Sequence, residues 1–138
     1  MAVERLSAHY RFSGAALDVD ALLAAARPAG SHEVWHRGET IADGHVTSTA
    51  GVQVEIGDFT EAAEAVEAID AFLDDESTFL SAVRRFATDE MLSVVAVALW
   101  IGDDEPVEIL VPPEFLVRMG GEGVTLTVTG YPTGGDPE

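Results

Sequence analysis

Two histidines and a glutamate have the spacing of a zinc hydrolase. His32, Glu33 and His36 form the pattern H-E-x-x-H. On a helix this spacing turns both imidazoles toward one zinc ion, while the glutamate acts as general base on the metal-bound water. A catalytic zinc also needs a third protein ligand, and His45 and His9 are the conceivable donors. The pattern therefore predicts zinc chemistry only where a helix and a third ligand are both present.

The neighbouring residues favour a loop over a helix at this point. Pro28 and Gly30 precede the pattern and Gly38 follows it, which leaves at most about seven helical residues, and an isolated helix of that length is marginal in water. We therefore expect a loop with ordinary polar residues, no metal, no cofactor and no catalytic residue. A small zinc-dependent hydrolase that uses His32 and His36 stays as the alternative.

A second candidate site is the acidic middle of the chain. Its 138 residues include 25 acidic side chains and seven basic ones, all of them arginine, for a formal charge of −18. Residues 38–83 contain eleven of the acids and no lysine or arginine. Such a region produces an anionic field, which attracts cationic proteins and speeds their association. We predict a non-enzymatic, protein-binding surface formed by Asp58, Glu61, Glu64, Glu67, Asp70, Asp74, Asp75 and Glu76, with Trp35 as an exposed aromatic anchor.

The acidic surface is expected to lower the stability of the helix that carries it. Glu61, Glu64, Glu67 and Asp70 follow one another at three-residue spacing on one helical face. Each such like-charge pair destabilises a helix by about 0.2–0.5 kcal/mol. The functional interpretation is an immunity-like role, in which the surface covers the basic active site of a protein such as a toxin. The alternative is a housekeeping domain whose acidity reflects a salt-rich host, where screening lowers the cost.

Composition excludes several other classes of function. The strong negative charge excludes a nucleic-acid binder that works by neutralising phosphates. The absence of cysteine excludes disulfide scaffolds, thiolate catalysis and cysteine-based zinc sites. The longest apolar run, residues 94–101, is far shorter than the roughly 20 residues of a membrane span, and the first residues lack the features of a secretory leader. We expect a cytoplasmic protein.

The periodicity of apolar residues predicts the elements that position these candidates. Alternating or continuous apolar residues predict strands, whereas apolar residues at helical spacing predict helices. The strands are expected near 6–12, 46–56, 92–101, 107–111 and 124–128, and the helices near 17–26, 59–73, 79–86 and 115–119. This order predicts a single α+β domain over residues 1–131, with a mostly antiparallel sheet of four to five strands and helices packed on one face. Residues 132–138 are expected to form a flexible tail.

Three segments of the chain suggest a family resemblance: FSGAALDVDALLAAA at residues 12–26, WHRGE at 35–39 and VPPEFLVRMGGEGVTLTVTGY at 111–131. Together they resemble the DUF4279 family of small bacterial α+β proteins of unknown function. In that family a Gly and a Leu-Asp pair lead into the first helix, and a Pro and a Leu-rich helical turn lead through Gly into a last strand that finishes at Tyr. The resemblance implies an α+β fold and carries over no catalytic residue.

Overall fold

A five-stranded mixed sheet with four helices organises the chain. The computed structural model describes residues 3–40, 43–102 and 110–132. The elements are β1 (Val3–Gly14), α1 (Val19–Ala25), β2 (His32–Trp35), β3 (Ala50–Phe59), α2 (Ala62–Asp75), α3 (Ser77–Phe86), β4 (Leu92–Ile101), α4 (Pro113–Gly121) and β5 (Thr125–Pro132). The predicted single α+β domain with a mostly antiparallel sheet is confirmed.

The first strand lies in the middle of the sheet. The strand order is β2-β3-β1-β4-β5, and every neighbouring pair is antiparallel except β4 and β5. These two strands run parallel because the connection that contains α4 returns the chain to the end of the sheet at which β4 begins. The parallel pair was not predicted from the sequence.

The core lies between one face of the sheet and the helices. In β1 the predicted inward residues Leu6, Ala8, Tyr10 and Phe12 are all buried. Each helix contributes one apolar face, as its periodicity predicts. For α2 these are Ala65, Ile69, Phe72 and Leu73, and for α3 they include Phe79, Leu80 and Val83. No helix in the described residues has the length and apolar character needed to cross a membrane.

Several sequence-based expectations need correction. Residues 32–35 form a strand instead of a loop, because they pair with residues 51–54 of β3. The strand that was expected to start at Val46 starts at Ala50, since Val46 is 63% exposed and forms only an isolated bridge with Thr40. The expected strand at residues 107–111 and the expected tail at residues 132–138 fall outside the described ranges, except for residues 110, 111 and 132.

Candidate functional site

The H-E-x-x-H residues do not adopt the geometry that a zinc site requires. His32 and Glu33 lie in β2, where successive side chains point to opposite sides of the sheet. His36 follows the strand, so about 13 Å of extended backbone separates the two histidines. The spacing brings two imidazoles together only on a helix, and the formation of a strand here is the physical reason that it does not.

Each histidine has a partner of its own. His32 Nδ1 lies 2.8 Å from the carbonyl oxygen of Gly30, and His36 Nε2 lies 2.9 Å from Asp20 Oδ1. The hydrogen bond to Asp20 is the main cause that raises the pKa of the His36 imidazole. Across the described ranges, no group of three or more His, Asp and Glu side chains is placed to hold a metal ion.

Two of the predicted binding acids stabilise the start of α2. Glu61 and Glu64 form a capping box at its N-terminus. Glu64 Oε1 accepts hydrogen bonds from the backbone N–H of Glu61 at 3.2 Å and of Thr60 at 3.3 Å. Carboxylates here satisfy amides that have no partner within the helix, and they interact favourably with its dipole. These acids therefore have a structural role, although both remain exposed to solvent.

An arginine from α4 neutralises part of the acidic face. Arg118 Nη1 donates to Asp70 Oδ1 at 2.8 Å, and its other terminal nitrogen donates to Asp74. The hydrogen bond to Asp74 is the largest cause that raises the pKa of Arg118. No local pattern predicts this contact, because Arg118 lies 48 and 44 residues beyond the two acids. Asp70 and Asp74 thus fix α2 against α4.

Glu76 is buried instead of surface-exposed. Its side chain lies at the junction of α2 and α3, and the residue is only 5% exposed. Its two carboxylate oxygens accept hydrogen bonds from the backbone N–H groups of Ala29 and Gly30, each at 2.9 Å. These bonds attach the segment before β2 to the helical layer. The predicted binding role for Glu76 does not agree with this position, since a partner has little access to it.

An apolar cavity lies between α2, which carries most of the predicted binding acids, and α4. The cavity has a volume of about 290 Å³. Its floor is formed by β1, β4 and β5, and every side chain that lines it is apolar. The lining residues are Leu6, Ala62, Ala65, Val66, Ile69, Val97, Leu99, Val111, Phe115, Leu126 and Val128. We call this space and its rim the α2–α4 cleft.

Charged residues form the rim of the α2–α4 cleft. A second hollow shares Val66 and Phe115 with the apolar cavity and is also lined by Glu67, Asp70, Glu114 and Arg118. Within the described part of the chain, the side-chain carboxylates of Glu67 and Glu114 take part in no hydrogen bond or ion pair. The cleft therefore combines an apolar interior with two exposed, unpaired carboxylates.

The other three predicted binding residues do not line the α2–α4 cleft. Asp75 is exposed at the end of α2. Asp58 lies opposite Ser7 of β1, and Trp35 lies opposite Gly51 of β3, both on the side of the sheet away from the helices. The Trp35 ring covers Gly51, and its Nε1 donates to Thr49 Oγ1 at 3.2 Å. The structure thus separates Trp35 from the acidic helix, and the two do not form one surface.

Comparison with known proteins identifies no relative. No protein-family model, no curated protein and no solved structure matches the chain. The resemblance to DUF4279 is therefore wrong. The residues that suggested it serve general structural needs: Asp18 caps α1 by accepting from the Ala21 N–H at 3.0 Å, and Pro113 occupies the first turn of α4. Unrelated helices use the same residue types at these positions.

Proposed function

We propose that this chain is a non-catalytic domain that binds a cationic protein through the α2–α4 cleft. The observation that carries the proposal is the juxtaposition of an apolar cavity with the unpaired carboxylates of Glu67 and Glu114. This arrangement suits a partner segment that inserts an apolar side chain and places an arginine or lysine at the rim. In the described residues the cavity lining offers no nucleophile, acid or base, which favours binding over chemistry.

The charge of the whole chain supports the same proposal. A net charge of −18 steers cationic partners toward the molecule from beyond contact distance, and salt screens this effect. An immunity-like role in a bacterial cytoplasm, with a basic toxin as the partner, is the case that fits this chemistry best. Specificity then comes from the cavity, since electrostatic attraction alone does not discriminate between cationic proteins.

Two variants test the proposal on the protein itself. Glu67→Gln with Glu114→Gln removes the unpaired rim charges, and Ala62→Leu fills part of the cavity without changing charge. The control is Asp89→Asn with Glu90→Gln, an equal charge change at exposed positions between α3 and β4. Affinity capture from host lysate at low salt, followed by a Kd measurement with the purified partner, compares them.

The expected result separates cleft binding from a general charge effect. We expect the rim variant to weaken binding by about three- to tenfold and Ala62→Leu to weaken it more, while the control changes it less than twofold. If the rim variant and the control weaken binding equally, only net charge matters, and docking in the cleft is wrong. If no cationic protein is captured, the proposed function is wrong, and a housekeeping domain whose acidity reflects the host is favoured.

A further inference from the structure

The side of the sheet opposite the helices has a composition unlike the rest of the surface. We call it the open face, because none of the four helices packs on it. In the described residues it comprises the outward side chains of the five strands. They include Trp35 of β2, Glu55 and Asp58 of β3, Arg5 and Arg11 of β1, and Trp100 of β4.

The middle of the open face is flat and weakly polar. Ala98 of β4 lies between Ser7 of β1 and Thr129 of β5, and Ala96 lies between His9 and Thr127. Apart from the His9 imidazole, these side chains are short. Two sheets pack face to face at about 10 Å when such side chains meet. The shape therefore suits a second sheet better than a convex partner.

Aromatic rings and arginines border the flat area. Trp100 and Tyr131 stack with their ring centroids 5.7 Å apart, and the Arg5 guanidinium lies 4.0 Å from the Trp100 ring centre. At the opposite end, Arg11 lies 5.7 Å from the Trp35 ring and donates to Gln53 Oε1 at 3.0 Å. Guanidinium groups held on aromatic rings are weakly hydrated, so burying them costs less than burying an ammonium group.

Charge identifies which partner fits this face. Its arginines, Arg5 and Arg11, are opposed by three carboxylates, those of Glu33, Glu55 and Asp58, so the face is close to neutral. The rest of a chain with a net charge of −18 strongly repels a second copy. Within the described residues, the open face is therefore a large surface on which two copies can approach with little of that repulsion.

We propose that two copies of this chain pack through their open faces as a symmetric dimer. A two-fold axis along the strands, between β1 and β3, places β1 of each copy over β3 of the other. Arg5 then lies within side-chain reach of Asp58 of the other copy, and His9 lies over its Glu55. The same axis also places Trp35 of each copy over β4 of the other. An interface of this kind is isologous, which is the commonest arrangement of soluble dimers.

The available area agrees with a weak dimer that forms at high protein concentration. Four overlapping strands span about 19 Å, and β1 extends about 27 Å from Arg5 to Ser13. The two copies together would bury about 1,000 Å², which is near the lower limit for a specific interface. The dimer leaves both α2–α4 clefts exposed, because they lie on the helix side of each sheet. The proposal is thus independent of the proposed function.

Sedimentation equilibrium and light scattering of the full chain test the dimer directly. The test variant is Ala96→Arg, which puts a long charged side chain in the centre of the open face. The matched control is Ala63→Arg, the same substitution at an exposed position on α2. Circular dichroism melts of all three proteins show whether each is folded.

We expect the wild-type chain to dimerise more tightly as salt rises from about 0.05 to 0.5 M, because salt screens the repulsion between the acidic sides. Ala96→Arg should weaken association about tenfold or more, while Ala63→Arg should preserve it. A wild-type chain that stays monomeric at high protein concentration in both salts overturns the proposal, whether or not the variants fold. Equal dissociation by the two substitutions also overturns it.

Discussion

The two sides of the sheet differ in what covers them and in how their charge is arranged. The helix side carries the exposed acids of α2 and α4, of which Arg118 neutralises only Asp70 and Asp74. The open face has no helical cover in the described residues, yet Arg5 and Arg11 nearly balance its acids. Among the described residues, the unbalanced negative charge therefore lies more on the helix side than on the open face. Salt should weaken binding on the helix side and strengthen association through the open face.

The largest expected effect compares an aromatic residue from each side. Phe79 of α3 is 1% exposed, and its ring meets that of Tyr10 edge to face at 6.2 Å. We expect Phe79→Ala to lower the free energy of unfolding by about 3–5 kcal/mol, because it leaves a cavity. Tyr131→Ala on the open face should cost about 1 kcal/mol or less, since Tyr131 is 46% exposed. Urea unfolding measures both, and similar losses would contradict the assignment of the core to the helix side.

The second prediction concerns the connection made by Glu76 on the helix side. Glu76→Ala leaves the N–H groups of Ala29 and Gly30 without their acceptors, and we expect a loss of about 2–3 kcal/mol in the free energy of unfolding. Glu76→Gln retains one acceptor oxygen and turns an amide donor toward the second N–H, so its loss should be intermediate. Asp75→Ala is the adjacent exposed control. If Glu76→Ala and Asp75→Ala cost the same, the buried carboxylate has no stabilising role.

On the open face, the close contact between Trp35 and Gly51 gives a third prediction. A Cβ added at Gly51 would lie 2.3 Å from the Trp35 ring and 2.8 Å from the backbone oxygen of Phe12. Gly51→Ala should therefore displace the indole, shift tryptophan fluorescence to longer wavelength and cost about 1–3 kcal/mol. Gly120→Ala, with no atom within 4 Å of its added Cβ, is the control and should be neutral or stabilising by up to about 1 kcal/mol. An unshifted emission spectrum would show that Trp35 does not lie on Gly51.

The smallest expected effect is on the pH dependence of folding stability, to which His9 and His36 contribute with opposite signs. Burial, and then Arg11, lowers the pKa of His9 on the open face, whereas Asp20 raises the pKa of His36. For His9 the unfolded chain takes up the proton more readily, so stability falls as pH drops below about 6.5. For His36 the folded chain binds the proton more tightly, so its stabilisation is present below about pH 6.5 and is lost as pH rises through the raised pKa.

Removing one histidine at a time separates these contributions. His9→Gln should leave a chain whose stability decreases as pH rises past neutrality, and His36→Asn should leave one whose stability decreases as pH falls toward 5.5. Urea unfolding at a series of pH values measures both slopes. Identical slopes in the two variants would contradict the opposite environments of the two rings.

Local periodicity explains why much of the fold was predictable. The alternation of Leu6, Ala8, Tyr10 and Phe12 defines the buried face of β1 correctly, and the helical spacing around Ile69 does the same for α2. Both signals arise from one face that meets the core, which is a local property of the sequence.

Features that depend on distant residues were not predictable. Arg118 neutralises Asp70 and Asp74 from another helix, and Glu76 is buried only because the segment that contains Gly30 lies against it. Nothing in the local sequence distinguishes Glu76 from its exposed neighbour Asp75. The position of Trp35 had a weak signal, since Glu33 and Trp35 alternate with His32 and Val34 as a strand would require. The H-E-x-x-H pattern covers the same residues and is typical of a helix, so it competes with the strand interpretation.

The central position of β1 has a consequence for synthesis. The ribosome makes β1 before either of its neighbours, and 77 residues separate Gly14 from Leu92, the first residue of β4. At about 5–20 residues per second, the apolar face and one backbone edge of β1 wait about 4–16 s for that partner. During this interval the nascent strand presents an unpaired edge that favours aggregation. We expect nascent chains to depend on chaperones until β4 has emerged, and slower translation between α2 and β4 to lengthen that dependence.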